Sequence, residues 1–233
     1  MVGSPEASER EIRMLKFYCA PWSRASGVFW LLEELGQPYE IELVDIRAPG
    51  GVPESYRAIQ PNKKVPAVEH DGIVITERAA ITMYLADAFP QARLAPPIGD
   101  GRRAAYLTRL VYCDSVFDPA IAARAQGLKY GGNGFSFGTF EDMVANVEKI
   151  LAGQAYAVGD SFTAADTQLA SGIHFTMNIL KVLPPLDVFG DYLARATDRP
   201  AYRSYQAKEA ELARRATPVQ FKAPRNASQD AAD

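Results

Sequence analysis

The most informative apolar and polar pattern lies between residues 14 and 36, where a short apolar run precedes a tight loop and a helical repeat. In the helical part, apolar side chains recur at i, i+3, i+4 and i+7, on one face: Val28, Leu31, Leu32 and Leu35. Gly36 can take the left-handed conformation that ends a helix, and Pro38 cannot continue one. The pattern predicts a buried strand, a loop at 21–24 and an amphipathic helix.

The residues up to 90 continue with strand and helix patterns. A second strand is predicted over 39–44 and a short helix around Tyr56. Residues 67–69 and 73–75 are β-rich runs separated by Asp71-Gly72, a dipeptide typical of hairpins. A helix is predicted over 76–89. The strand, helix, strand order implies a parallel pair with a right-handed crossover, to which the hairpin adds an antiparallel edge.

Beyond residue 90 the composition changes. Residues 91–101 are rich in Pro, Gly and Ala, which indicates a linker, and the pattern after them is helical, with a kink expected near Pro119. Thr139 and Thr163 are each followed three residues later by Asp, which is typical of helix starts. The predicted helices cover 102–126, 139–153, 163–180, 186–196 and 200–215.

These patterns predict two domains with loose ends. We expect a disordered leader (1–12), an α/β domain (13–90), the linker (91–101), an all-helical domain (102–217) and a disordered tail (218–233).

Composition narrows the class of protein. A hydrophobic share of 48% with 23% charged residues is ordinary for a soluble globular protein, and a net charge of −3 gives no case for nucleic-acid or membrane partners. No apolar run is long enough to span a bilayer. Two cysteines cannot form a disulfide framework and two isolated histidines do not make a usual zinc site, so we expect a cytoplasmic protein without a metal.

The strand-to-helix junction near Ser23 is a natural anion site. A helix start presents free backbone N–H groups and the positive end of the helix dipole, and a thiolate is an anion. Ser23 lies at this junction, where its hydroxyl is either a helix cap or a catalytic donor.

Four pieces in this order and spacing resemble the cytosolic glutathione transferase superfamily, most closely a bacterial, serine-type, theta-like member. They are SRASGVFWLLEELGQPYE (23–40), KKVPA (63–67), TERAAITMYL (76–85) and GDSFTAADTQL (159–169). The resemblance spans about residues 13–215. It implies a thioredoxin-like N-terminal domain with a mixed four-stranded sheet, followed by an all-α C-terminal domain.

The resemblance also implies an activity and its residues. Glutathione would be a co-substrate, with no cofactor, activated as a thiolate that attacks a small hydrophobic electrophile. Ser23 would donate to the sulfur. The implied contacts with the peptide are the backbone of Val65 before a cis Pro66 for the cysteinyl unit, Glu77 and Arg78 for the γ-glutamyl end, and Lys64 for the glycyl carboxylate.

The second substrate is expected in a groove between the halves, where Trp22, Tyr106 and Tyr112 are candidate pocket residues. The resemblance further implies a homodimer.

Two other functions stay open at this point. A glutathione-dependent thiol oxidoreductase or peroxidase would use Cys19, which precedes the loop. A non-catalytic glutathione-binding or regulatory module would keep the fold without turnover. Tyr18, on the predicted strand, competes with Ser23 and Cys19 for contact with the sulfur.

Overall fold

A computed structural model describes residues 15–215 of the chain. The predicted leader and tail therefore lie outside the described residues. Within them, no helix is long and apolar enough to cross a bilayer.

The N-terminal half is built on a mixed four-stranded sheet of β1 (Leu15–Cys19), β2 (Tyr39–Leu43), β3 (Ala67–His70) and β4 (Ile73–Thr76), in the order β2-β1-β3-β4. β1 and β2 are parallel, while β3 is antiparallel to both β1 and β4. The hairpin turn has positive φ at Asp71 (51°) and Gly72 (79°), as a two-residue turn requires. The predicted parallel pair and antiparallel edge are confirmed.

Helices α1 (Ser26–Leu35) and α2 (Arg78–Ala88) pack on this sheet, and a single 3₁₀ turn (Glu54–Ala58) replaces the helix predicted near Tyr56. Gly36 ends α1 in the left-handed conformation, with φ 63°, as predicted. Strand β1 alternates: Phe17 joins the core against α1, whereas Tyr18 joins a separate small cluster.

The C-terminal half consists of packed helices: α3 (Arg102–Tyr112), α4 (Asp118–Ala125), α5 (Phe140–Ala152), α6 (Ala164–Ile173), α7 (Asp187–Thr197) and α8 (Pro200–Arg215). A π-helical segment (Cys113–Phe117) joins α3 to α4. Pro119 has no N–H for the carbonyl four residues earlier, so the irregularity falls in the turn before the proline. The irregularity expected near Pro119 is present as this π-helical segment, one turn earlier in the chain.

Helix α1 lies between the sheet and the helical half. Its Gly27 permits a close approach to α6, because a Cβ there would lie 2.7 Å from the Ser171 hydroxyl oxygen and 3.0 Å from the Thr167 carbonyl oxygen. The start of α1 therefore opens toward the C-terminal helices.

Helix α6 begins at a capping box formed by Thr163 and Asp166. The Asp166 carboxylate is fully buried and accepts the N–H groups of Thr163 (2.8 Å) and Ala157 (2.7 Å) and the Tyr192 hydroxyl (2.9 Å). This side chain thus ties the start of α6 to α7 and to the preceding loop.

Replacing Asp166 by Ala is expected to destabilise the protein far more than removing an exposed helix cap. Several buried donors would lose their acceptor, which we expect to cost about 3–5 kcal/mol. The matched control is Thr139→Ala, which removes the exposed cap of α5 at a cost of about 1 kcal/mol. Urea unfolding measures both; equal losses would contradict the buried role of Asp166.

Candidate active site

A cavity of about 580 Å³ lies at the start of α1, between the α/β half and the helical half. The loop before α1 forms one wall, with Trp22, Ser23 and Arg24. The opposite wall comes from Phe175, in the π-helical turn that follows α6, and from α8. The strand-to-helix junction singled out in the sequence therefore borders a cavity large enough for a small molecule.

Ser23 is held in place by its own loop. Its hydroxyl oxygen accepts the Ala25 N–H (3.1 Å) and its proton is donated to the Ala20 carbonyl oxygen (2.7 Å). The backbone N–H groups of Ser23 and Arg24 have no hydrogen-bond partner among residues 15–215. The junction thus presents a positioned hydroxyl and two free N–H donors. The catalytic role of Ser23 stays a prediction.

The three aromatic residues expected in the pocket differ in their position relative to the cavity. Trp22 is 58% exposed and lines the cavity, and its contact with a second substrate stays a prediction. The expectation for Tyr106 is wrong, because this side chain is fully buried in the core. Tyr112 is also corrected: it is partly buried against the core and outside the cavity wall. Helical spacing showed that these tyrosines share an α-helix, but it did not show what the helix faces.

The two residues expected to bind the γ-glutamyl end differ in whether their side chains already have partners within the protein. Glu77 is exposed, has a positive φ of 66°, and forms no side-chain hydrogen bond within residues 15–215. Arg78 is only 6% exposed; its guanidinium donates from Nε to Asp114 (2.9 Å) and from Nη2 to Asp118 (2.8 Å) and Asp114. Burial opposes the charge of Arg78, yet Asp118 and Asp114 hold its pKa above the usual value.

These contacts correct the expectation that the Arg78 guanidinium meets a ligand carboxylate. Asp114 also accepts the Ala79 N–H (2.9 Å), and so caps the start of α2. The Arg78 side chain therefore joins the halves of the protein, although it borders the cavity.

The loop before β3 has the backbone geometry predicted for it. The Val65–Pro66 peptide bond is cis, which confirms the expectation. Val65 forms no backbone hydrogen bond with the described part of the chain. The Lys63 ammonium already has partners within the protein, because it donates to the Val52 carbonyl oxygen (2.9 Å) and to the Glu54 carboxylate (2.6 Å). The Lys64 ammonium is exposed and unpaired within residues 15–215, so Lys64 is the lysine free to bind a ligand.

Three of the cavity residues are not indicated by the sequence: Phe175, Tyr205 and Glu209. The most consequential is Glu209, because its carboxylate reaches across from α8 to the start of α1. It accepts the Trp22 N–H (3.1 Å) and the Ser26 hydroxyl (2.6 Å). His174 pairs with Asn178 (3.1 Å), and burial lowers its pKa. Nothing in the helical pattern of α8 indicates where it docks.

The competing residues Tyr18 and Cys19 are not among the residues that line the cavity. Tyr18 donates to Glu69 (3.1 Å) from the cluster on the other face of the sheet. Cys19 is buried, and burial, together with the nearby Glu209 carboxylate, raises the pKa of its thiol to about 12. No cluster of three or more potential metal ligands occurs within residues 15–215.

Residues 21–88 match the model of a protein family described as the N-terminal domain of glutathione S-transferase. Over 169 residues the chain is 32% identical to glutathione S-transferase hmp2 of Hypomyces subiculosus, covering 66% of this chain and 78% of that protein. The chain belongs to the cytosolic glutathione transferase superfamily.

Two further comparisons extend this assignment to most of the transferase chain. It is 26% identical over 200 residues to glutathione S-transferase 3 of Schizosaccharomyces pombe, covering 78% of this chain and 82% of that protein. A sphingomonad glutathione S-transferase solved in complex with glutathione superposes with a TM-score of 0.67 at 25% identity, covering 84% of this chain and 98% of that one. The predicted family, fold and enzyme class are confirmed. The serine-type, theta-like subclass stays a prediction.

Neither cysteine of this transferase is expected to react with a thiol reagent while the protein is folded. Cys19 and Cys113 are buried, and burial raises the pKa of each thiol to about 12. At about pH 8 only about one such thiol in ten thousand is ionised. Ellman's reagent should therefore label both cysteines in denaturant and neither in the native protein. Native labelling of Cys19 at the rate of free glutathione would revive the oxidoreductase hypothesis.

Proposed function

We propose that this glutathione transferase binds glutathione at the start of α1, activates it as a thiolate and directs it at a small hydrophobic electrophile. The observation that carries the proposal is the group of donors at one cavity wall: the Ser23 hydroxyl and the free N–H groups of Ser23 and Arg24. These donors lie at a helix N-terminus, where a negative charge is stabilised.

Such a site can change the ionisation of glutathione substantially. A free thiol with a pKa of about 8.5 is about 3% ionised at neutral pH. A hydroxyl donor and a helix N-terminus that lower this pKa by about two units contribute about 2.7 kcal/mol. About three quarters of the bound glutathione would then be thiolate.

Ser23 can act as the donor only if its proton changes partner. A hydroxyl has one proton, which Ser23 gives to the Ala20 carbonyl, while its oxygen is fixed by the Ala25 N–H. Rotation about the C–O bond would redirect the proton toward a bound sulfur without moving the oxygen. In this proposal Ser23 is a hydrogen-bond donor, and it does not attack the substrate.

The rest of the peptide would lie along the edge of the α/β half. An extended tripeptide spans about 10 Å, enough to leave the cavity and reach neighbouring loops. Val65 has backbone groups free for strand-like pairing, Glu77 has a free carboxylate for the γ-glutamyl ammonium, and Lys64 has a free ammonium for the glycyl carboxylate.

The character of the cavity supports a hydrophobic electrophile. Trp22 and Ile179, exposed to 58% and 52%, line it together with Phe175. Apolar side chains exposed in a concave site are typical of small-molecule binding. An electrophile bound against these side chains would lie next to the thiolate.

The proposal includes a homodimer in a reducing, cytoplasmic compartment. Strand β4 lies at the edge of the sheet and exposes Ile73 and Val74, which a second subunit could cover. Both cysteines are free thiols, as a reducing compartment favours.

Replacing Ser23 by Ala should raise the pKa of the bound thiol by about one to two units and lower kcat/KM about 10- to 100-fold. A pH titration of the thiolate ultraviolet absorbance of bound glutathione measures the first effect, and steady-state conjugation measures the second. The control is Ser136→Ala, an exposed serine outside the cavity, which should match the unmodified protein.

An unchanged thiol pKa and turnover in Ser23→Ala would contradict the role of Ser23. If the unmodified protein binds glutathione by calorimetry without forming thiolate near neutral pH, the protein is a non-catalytic binding module.

Replacing Lys64 by Met should raise KM for glutathione about three- to tenfold with little change in kcat, because the lost contact is made equally before and during the reaction. KM of the unmodified enzyme should also rise with salt, since an exposed ion pair is screened. Lys129→Met, at another exposed lysine, is the control. Equal KM values for the two variants would show that Lys64 does not meet the glycyl carboxylate.

A further inference from the structure

Glu209 is a buried carboxylate placed by α8 at the start of α1. Only 7% of the residue is exposed, and it lines the cavity. Its Oε1 accepts the Trp22 N–H (3.1 Å) and the Ser26 hydroxyl (2.6 Å), while Oε2 has no partner among residues 15–215. Because Trp22 precedes Ser23 and Ser26 begins α1, the carboxylate lies beside the donors proposed to hold the sulfur.

No cation neutralises this carboxylate within the part of the chain that the structure describes. The two arginines of the cavity wall are already paired: Arg24 with Asp118 (2.8 Å), and Arg78 with Asp118 and Asp114. A buried carboxylate held only by neutral donors is a good proton acceptor, because protonation relieves its desolvation.

The other titratable groups around Glu209 do not take over this role. Burial raises the pKa values of Tyr202 and Tyr205 on α8 and of Cys19 on β1, and burial lowers that of His174. Near neutral pH the tyrosines and the thiol therefore keep their protons, and the imidazole is neutral.

We propose that Glu209 accepts the thiol proton of bound glutathione, an inference that rests on the proposed function. In this step the S–H bond breaks and its electron pair stays on sulfur. The proton forms an O–H bond at Oε2 of Glu209, while Oε1 keeps its contacts with Trp22 and Ser26. When the product leaves, the proton passes to water or to the departing group of the electrophile.

The ionisation of Glu209 is consistent with this step. Burial raises the pKa of its carboxyl, and the hydrogen bonds from Ser26 and from the Trp22 N–H oppose that effect only in part. Proton transfer is efficient when the pKa values of donor and acceptor are close. In this proposal the loop lowers the pKa of the thiol and burial raises the pKa of Glu209, so the two pKa values approach each other.

The test counts the protons released when glutathione binds. Calorimetry in buffers of different ionisation enthalpy gives this number, and the thiolate absorbance is recorded on the same samples. In the unmodified enzyme, thiolate should form near neutral pH with almost no proton released. In Glu209→Gln, the protein has lost the acceptor, so thiolate formation should release about one proton per bound glutathione. The matched control is Glu211→Gln, on the same helix but outside the cavity wall and paired with Arg214 and Arg215, which should behave like the unmodified enzyme.

The unmodified enzyme alone can overturn the proposal, even if Glu209→Gln does not fold. Release of about one proton for each thiolate formed in the unmodified enzyme would show that the proton leaves the site. Equal proton release by the unmodified enzyme and Glu209→Gln would also overturn it, while the proposed function would stand. Glutathione binding without thiolate absorbance would instead overturn both.

Discussion

One ion cluster, centred on the buried Arg78 guanidinium, joins the two halves of the protein beside the cavity. Arg78 begins α2 and lies between Asp114 and Asp118, and Asp118 also pairs with Arg24, which precedes α1. The cluster therefore fixes two helix starts of the α/β half against the turn between α3 and α4. Removing either aspartate would take one of its two partners from the buried Arg78 charge, which destabilises the folded protein because a buried charge needs compensation. The cavity wall depends on this cluster remaining intact.

The same cluster decides which groups are free to act on a ligand. Since both arginines are neutralised by aspartates, the stabilisation of a thiolate in the proposed mechanism would be left to the Ser23 hydroxyl and the N–H groups at the start of α1. Glu209 supplies a second acid at that point. Two neighbouring negative charges disfavour each other, so a thiolate and a carboxylate that share one proton form the more stable pair. The helix start then needs to support a single negative charge.

The sequence predicted the local features and missed those that depend on distant contacts. The period of the apolar residues, Gly36 and the Thr163–Asp166 box all act within a few residues, and the structure contains each of them. The partner of Arg78, Asp114, lies 36 residues away, and Trp22, the partner of Glu209, lies 187 residues away, so no local pattern indicates either contact. The helical repeat of α8 predicts which face of the helix is apolar, but it does not predict that this face packs on α1.

A crystal structure of the protein with glutathione tests the central claim most directly, namely that the sulfur is held at the start of α1. We expect the sulfur within about 3.5 Å of the Ser23 hydroxyl oxygen, inside the cavity that Glu209 borders, with the Ser23 hydroxyl turned away from the Ala20 carbonyl. A sulfur directed away from this helix start, with glutathione bound elsewhere on the surface, would contradict the claim.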